Sequence, residues 1–188
     1  LALLSSEKKD STENIPTLFS SSENISFIIP SAELFATSLG DCWGSMLGAS
    51  SGILINNHLM FGLGFRINVG NPEINFGYVG FLAEYRFFSD RPISPTVRVL
   101  TGYGSIKKYI RPKSSLFDDF GNIGGARFGF IEPTVGAEIN FTKYVQTQVH
   151  CGYRITGGYH EVESWQTQSL ENKNLNGTVI GLGIRVSK

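Results

Sequence analysis

The residues able to do chemistry in this 188-residue chain are few and scattered. The histidines are His58, His150 and His160, and the cysteines are Cys42 and Cys151. A nucleophile needs a base within hydrogen-bond reach and a third group to orient that base. His150 is followed by Cys151 and Gly152, with no serine two residues on to serve as its nucleophile. His160 stands near Glu161 and Glu163, a trio that could hold a metal weakly, but a solvated loop is the commoner meaning of such a cluster. Gly102-Tyr103-Gly104 and Gly181-Leu182-Gly183 lack the third glycine and following helix of a nucleotide site. No catalytic residue, cofactor or metal is therefore expected.

Arginine and glutamate are placed more regularly. Arg66, Glu84, Arg86, Arg98, Glu132, Glu138, Arg154 and Arg185, with Glu33 and His150, all fall on one side of segments that alternate polar and apolar. Such a period of two is the mark of a β-strand. It is cleanest from Leu59 to Val69, where Leu59, Phe61, Leu63, Phe65, Ile67 and Val69 oppose Met60, Gly62, Gly64, Arg66 and Asn68. Eight such segments can be drawn. They lie near Ile25 to Leu39 (the least regular, with Pro30 expected near an end or edge), Cys42 to Ile55, Leu59 to Val69, and Phe76 to Phe88. The others centre on Val97 to Tyr103, Ile131 to Phe141, Val145 to Ile155, and Thr178 to Val186.

Tight turns are expected at Asn56-Asn57, Ser89 to Pro95 and Thr142-Lys143, because Asn and Pro favour turn geometry. Long polar connections span about Ile106 to Gly125 and Gly157 to Asn174. The tight turns are the second, fourth and sixth connections, and the long ones the fifth and seventh. In an up-and-down barrel all the long loops then share one end, the arrangement of outer-membrane barrels. The expected fold is all-β: an eight-stranded antiparallel up-and-down β-barrel over residues 25–188, preceded by a flexible polar tail over residues 1–24.

Alternation alone does not say which face is inside. Large residues fill the apolar face of nearly every strand and would overfill so narrow a barrel. Glycine collects on the polar face, where a solvated sheet would gain nothing from it. The strand cations are arginines, while the lysines fall in tails, strand ends, loops or turns. Arginine's planar fork suits enclosed bidentate pairing, and lysine suits open water. The polar face is therefore read as the lumen, with Glu84, Glu132 and Glu138 pairing with Arg66, Arg86, Arg98, Arg154 and Arg185, and His150 satisfied among them. Tyr78, Phe87, Phe88, Tyr103, Phe141, Tyr144 and Tyr159 are expected to form interfacial girdles. Cys42 falls on the polar face and Cys151 on the apolar one, so no disulfide is expected.

Sixteen basic residues balance sixteen acidic ones, which removes the electrostatic footprint of a nucleic-acid binder. The pieces INNHLMFGLGF, GYVGFLAEYRFF, FIEPTVGAEINFTKYVQTQVHCGYR and GTVIGLGIRV resemble an uncharacterised group of small outer-membrane-type barrels of bacteroidete bacteria. The resemblance implies a fold and an envelope location and brings no activity. Its departure is at the end of the chain, Val186-Ser187-Lys188, where such barrels commonly carry a terminal aromatic. A monomer in contact with outer-membrane lipid is expected, with any envelope or extracellular partner met by the loops near 106–125 and 157–174. Their mixed charge is supplied by Lys107, Lys108, Arg111, Lys113, Asp118 and Asp119, with Trp165. The alternatives are a soluble lipocalin-like carrier of an apolar ligand and a lipid-modifying barrel enzyme with His150, Cys151 and His160 as first suspects.

Overall fold

The computed structural model describes residues 25–39, 42–70, 74–108, 125–142, 144–162 and 175–187. The expectation of a flexible tail over residues 1–24 lies outside them. The eight strands are β1 (Ile25–Leu39), β2 (Cys42–Ile55), β3 (Leu59–Asn68), β4 (Ile74–Arg86), β5 (Ile93–Lys108), β6 (Gly125–Asn140), β7 (Val145–Val162) and β8 (Gly177–Ser187). Each pairs antiparallel with the next, and β8 pairs with β1 to close the barrel. Register partners can be followed around the wall from Glu138 through Gln148, Gly183, Glu33, Gly48, Arg66, Tyr78 and Gly104 to Phe128. One circuit thus returns to β6 ten residues from its start, a stagger that corresponds to a strand tilt of about 40° at ordinary strand spacing.

The turns follow their residue types. Asn56 and Asn57 have φ of 51° and 61°, the double left-handed geometry of a two-residue hairpin. Thr142 accepts hydrogen bonds at Oγ1 from the backbone N–H groups of Tyr144 and Val145, at 3.2 and 3.0 Å. After β4, the Ser94 hydroxyl and Asn140 side-chain amide donate to carbonyls of the 88–91 turn, tying it to the foot of β6. β5 starts at Ile93, so Pro95 lies in the strand rather than in the turn.

Pro30 lies inside β1, not at its end. The register of β1 shifts by one residue against both β2 and β8 in this region, between Ile28 and Ser31 on one side and Ile29 and Ala32 on the other. A bulge accommodates a residue without an N–H and reverses which parity faces out. Phe27 is exposed before it, and Leu34 after it, while Ser31 and Glu33 turn inward. A second shift, between Arg127 and Gly129, falls opposite Gly158 of β7, whose φ is 65°. Two of the long elements outrun their sequence-based limits. β5 takes in Lys107 and Lys108, and β7 continues through His160 to Val162, eight residues past Arg154, its last residue paired with β8.

Close approach fixes several glycines. A Cβ on Gly80 would lie 2.2 Å from the Thr101 carbonyl oxygen, whereas one on Gly157 would meet nothing within 4 Å. Gly80→Val should therefore destabilise the folded barrel by about 1–3 kcal/mol or more, and Gly157→Ala should stay within about 0.5 kcal/mol. Urea unfolding in lipid vesicles, followed by tryptophan emission, checks both.

Candidate functional site

The alternation in sequence becomes a division between wall and lumen. Among the described residues, 29 large hydrophobic side chains are exposed, against 14 buried hydrophobic ones. The exposed set circles the barrel and includes Trp43, Phe61, Phe65, Phe81, Tyr103, Val135, Tyr153 and Leu182. The buried set of polar residues includes Glu33, Arg66, Glu84, Arg86, Arg98, Glu132, Glu138, His150, Arg154 and Arg185, none more than 4% exposed. Every residue assigned to an interior charge network is thus enclosed.

At the tight-turn half of the lumen the charges are shared. Arg98 donates from Nε to Glu84 at 3.0 Å, from its terminal nitrogens to Glu33 at 3.2–3.3 Å, and to Gln148 at 3.0 Å. Arg185 donates to both Glu84 oxygens, at 2.8 and 2.9 Å, and to Glu138 at 2.9 Å. Arg86 donates to Glu138 at 2.8 Å, and the Gln148 amide donates to the same carboxylate. Ser31 and Ser50 both donate to Glu33. Three arginines face three glutamates here, so the cluster is neutral. Arg98 and Arg185 each serve groups from different strands, which is what their fork allows, while Arg86 serves Glu138 alone.

Further along, Arg66 donates to Glu132 and to the Tyr78 hydroxyl, and Tyr78 donates to the other Glu132 oxygen at 2.7 Å. The Arg66 guanidinium lies 3.7 Å from the centre of the Phe35 ring, a cation–π contact. His150 is buried against the same ring, at 5.2 Å between centroids, but contrary to expectation its Nε2 has no hydrogen-bond partner among the described residues. Toward the long-loop end the lumen becomes apolar: Phe76 stacks on Phe128 at 5.5 Å, Tyr78 meets Phe130 edge-on at 4.6 Å, and Met46, Ile106, Leu175 and Val179 complete the layer. A cavity bounded by Glu33, Ser50, Arg66, Arg98 and Leu100 has a volume of about 10 Å³, room for about one water.

Two sequence-based assignments are corrected. Arg154 meets no carboxylate among the described residues; it donates to the backbone carbonyls of Leu175 and Ser38 and to the Thr37 hydroxyl. The four described interior glutamates are engaged by the other four arginines, and Arg154 sits instead among rings and strand ends. Tyr78 is no girdle residue; its parity with Gly80, Leu82 and Glu84 turns it inward. Phe87, Phe88, Tyr103, Phe141 and Tyr144 are exposed as expected of girdle positions. Glu33, Gln148 and the aromatic layer were absent from the expected pairing scheme, although parity alone marks Glu33 and Gln148 as interior once the Pro30 bulge is allowed for.

Of the loop candidates, Lys107 and Lys108 belong to β5, and His160 to β7 rather than to a loop. Arg111, Lys113, Asp118, Asp119, Glu163 and Trp165 lie outside the described residues. Cys151 is a free, exposed cysteine on the outer face, opposite in parity to His150, and the Cys42 side chain lies outside the described part. Among the described residues no helix is long and apolar enough to cross a membrane, a statement that does not bear on strands.

No family model matches the chain, and no curated protein matches it. Among solved structures, the crystal structure of Neisserial surface protein A is similar with a TM-score of 0.62 and 16% sequence identity, over 87% of this chain and 97% of that one. At that identity the likeness concerns the fold: a closed eight-stranded antiparallel barrel.

Enclosed ion pairs have an asymmetric energetics. Removing one partner strands the other without water, and removing both does not. Glu132→Leu should cost about 3–5 kcal/mol by leaving Arg66 unpaired, and the double variant Arg66→Met with Glu132→Leu should cost clearly less. Vesicle unfolding of the two variants side by side reads the difference.

Proposed function

We propose that this chain is an outer-membrane β-barrel protein that acts as a structural barrel or as a loop-borne binding module, without catalysis. The observation that carries the reading is the inverted polarity: an apolar belt exposed around a lumen of paired charges. Exposed to water, a belt of this extent would far exceed the apolar patches that soluble monomers tolerate. Facing lipid, it is the ordinary outer surface of a membrane barrel. Strands of 10 to 18 residues match or exceed the roughly 9–11 tilted residues that cross a bilayer. The likeness to a neisserial surface protein supports the location by fold.

A lipocalin-like carrier would need an apolar cavity; among the described residues the lumen holds arginine and glutamate, and the cavity between Glu33, Arg66 and Arg98 has room for about one water. A lipid-modifying enzyme built on His150 is disfavoured because His150 is buried in the lumen while Cys151 faces the opposite way. Affiliation with small barrels of bacteroidete bacteria rests on the sequence pieces alone. The partner set of this reading is outer-membrane lipid for the belt, an envelope or extracellular molecule for the two long connections, no nucleic acid, and a monomeric barrel.

Purified protein should require detergent and should migrate differently in SDS gels before and after boiling. In planar bilayers it should show no stable conductance of porin size, because the ion pairs and the aromatic layer fill the lumen. A monodisperse detergent-free protein, turnover of lipid substrate abolished by His150→Ala in a folded barrel, or a steady open channel would each overturn the reading.

A further inference from the structure

The β7–β8 ladder ends at Arg154 and Gly177, yet the chain is fixed before that point is reached from the loop side. Leu175 is 6% exposed and packs in the aromatic layer, although it precedes β8. Its carbonyl accepts from Arg154 Nε at 3.0 Å. The next residue, Asn176, accepts at Oδ1 from the Thr156 backbone N–H at 2.7 Å and from the Thr156 hydroxyl at 3.0 Å. Gly177 follows so close to β1 that a Cβ there would lie 2.2 Å from the Ser38 carbonyl oxygen. Thr178 then donates its N–H to the Ser38 hydroxyl at 2.8 Å.

Arg154 reaches the segments on both sides of these contacts. Its terminal nitrogens donate to the Thr37 hydroxyl and the Ser38 carbonyl, both at 3.1 Å, while its guanidinium lies 4.7 Å from the centre of the Phe76 ring and 5.5 Å from that of Tyr78. Interior arginines elsewhere neutralise carboxylates. This one spends its donors on the end of β1 and on the chain entering β8, and rests its charge on carbonyl dipoles and ring faces.

We propose that Arg154 is a positioning residue for the entry to β8: through one guanidinium it fixes Leu175 and the end of β1 against β7 at the rim of the barrel. The guanidinium replaces the ladder hydrogen bonds that β8 does not make, and it holds three chain segments at once. A lysine would keep the charge but could not span the same three acceptors from one plane.

The test is residue-resolved hydrogen exchange of the whole chain in lipid nanodiscs, which needs no partner and so separates this proposal from the binding reading. In Arg154→Met, the Thr156 and Thr178 amides should exchange about tenfold faster or more, while amides at mid-wall such as Gly152 and Val135 keep their rates and the gel shift on boiling persists. Arg154→Lys should restore part of the protection. Unchanged rates at Thr156 and Thr178, or a rise shared equally by the mid-wall amides, would overturn the proposal. Should Arg154→Met not fold, Thr37→Val removes one of the acceptors that orient the guanidinium while keeping side-chain volume. Several-fold faster exchange at Thr178 alone then supports the clamp, and no change there refutes it.

Discussion

A charge sealed inside a closed wall has no water to turn to, and this constraint governs the molecule. Every guanidinium and carboxylate in the lumen must be compensated from within the barrel, by an opposite charge or, for Arg154, by carbonyl and hydroxyl acceptors, or lose several kcal/mol. The neutral cluster of Arg86, Arg98 and Arg185 with Glu33, Glu84 and Glu138 meets that demand only because residues from β1, β4, β5, β6 and β8 converge, with Gln148 of β7 between them. No two adjacent strands contain it. The network is therefore a property of the closed barrel and opposes partly closed sheets, in which the same charges would be mismatched. Arg185 carries particular weight, since it stands on the last strand and bridges two carboxylates at once.

The same constraint explains the distribution of small residues. Long side chains fit into a narrow lumen only where the neighbouring strand gives way. Gly48 lies beneath Phe35 and Arg66, Gly183 beside Glu33, and Gly181 against His150 and Phe35. Each glycine is the negative image of a large neighbour. The aromatic layer under the long-loop end obeys the rule too, with Gly104 set against Phe128. Polar and apolar halves of the lumen thus use one steric device for two purposes.

The fold was legible because the outer face and the lumen carry opposite residue types at a period of two. Leu59 to Asn68 could be placed residue by residue, and the Asn56-Asn57 turn by the tolerance of asparagine for positive φ. Legibility failed where the period broke or where contact, rather than parity, decided the outcome. The Pro30 bulge shifts the phase of β1, so Glu33 could be placed on the polar face but not matched to Arg98 across the slip. Tyr78 has the composition of a girdle residue but the parity of an interior one, and parity prevailed. Arg154 looks like its four counterparts in sequence, yet it has different partners, because strand stagger sets what lies opposite and no local pattern records it. The ends of β5 and β7 were missed for a simpler reason: glycine and mixed charge near 104–108 and 157–162 resemble a loop, whereas pairing with β4 and β6 extends the strands.

That extension of β7 has a consequence for the outline of the barrel. Viewed down its axis a small closed barrel is nearly round, and a round object has no preferred bearing toward its neighbours. Here β7 runs eight residues past its last partner on β8, with β6 beside it to Gly125 and Val162. Among the described residues the wall is therefore tall on one flank and low where β8 meets β1. Counted over the described residues, a molecule approaching from the side meets a parapet from one direction and a lower wall from the other. The barrel has a front and a back, and its rotation about its own axis is no longer without meaning.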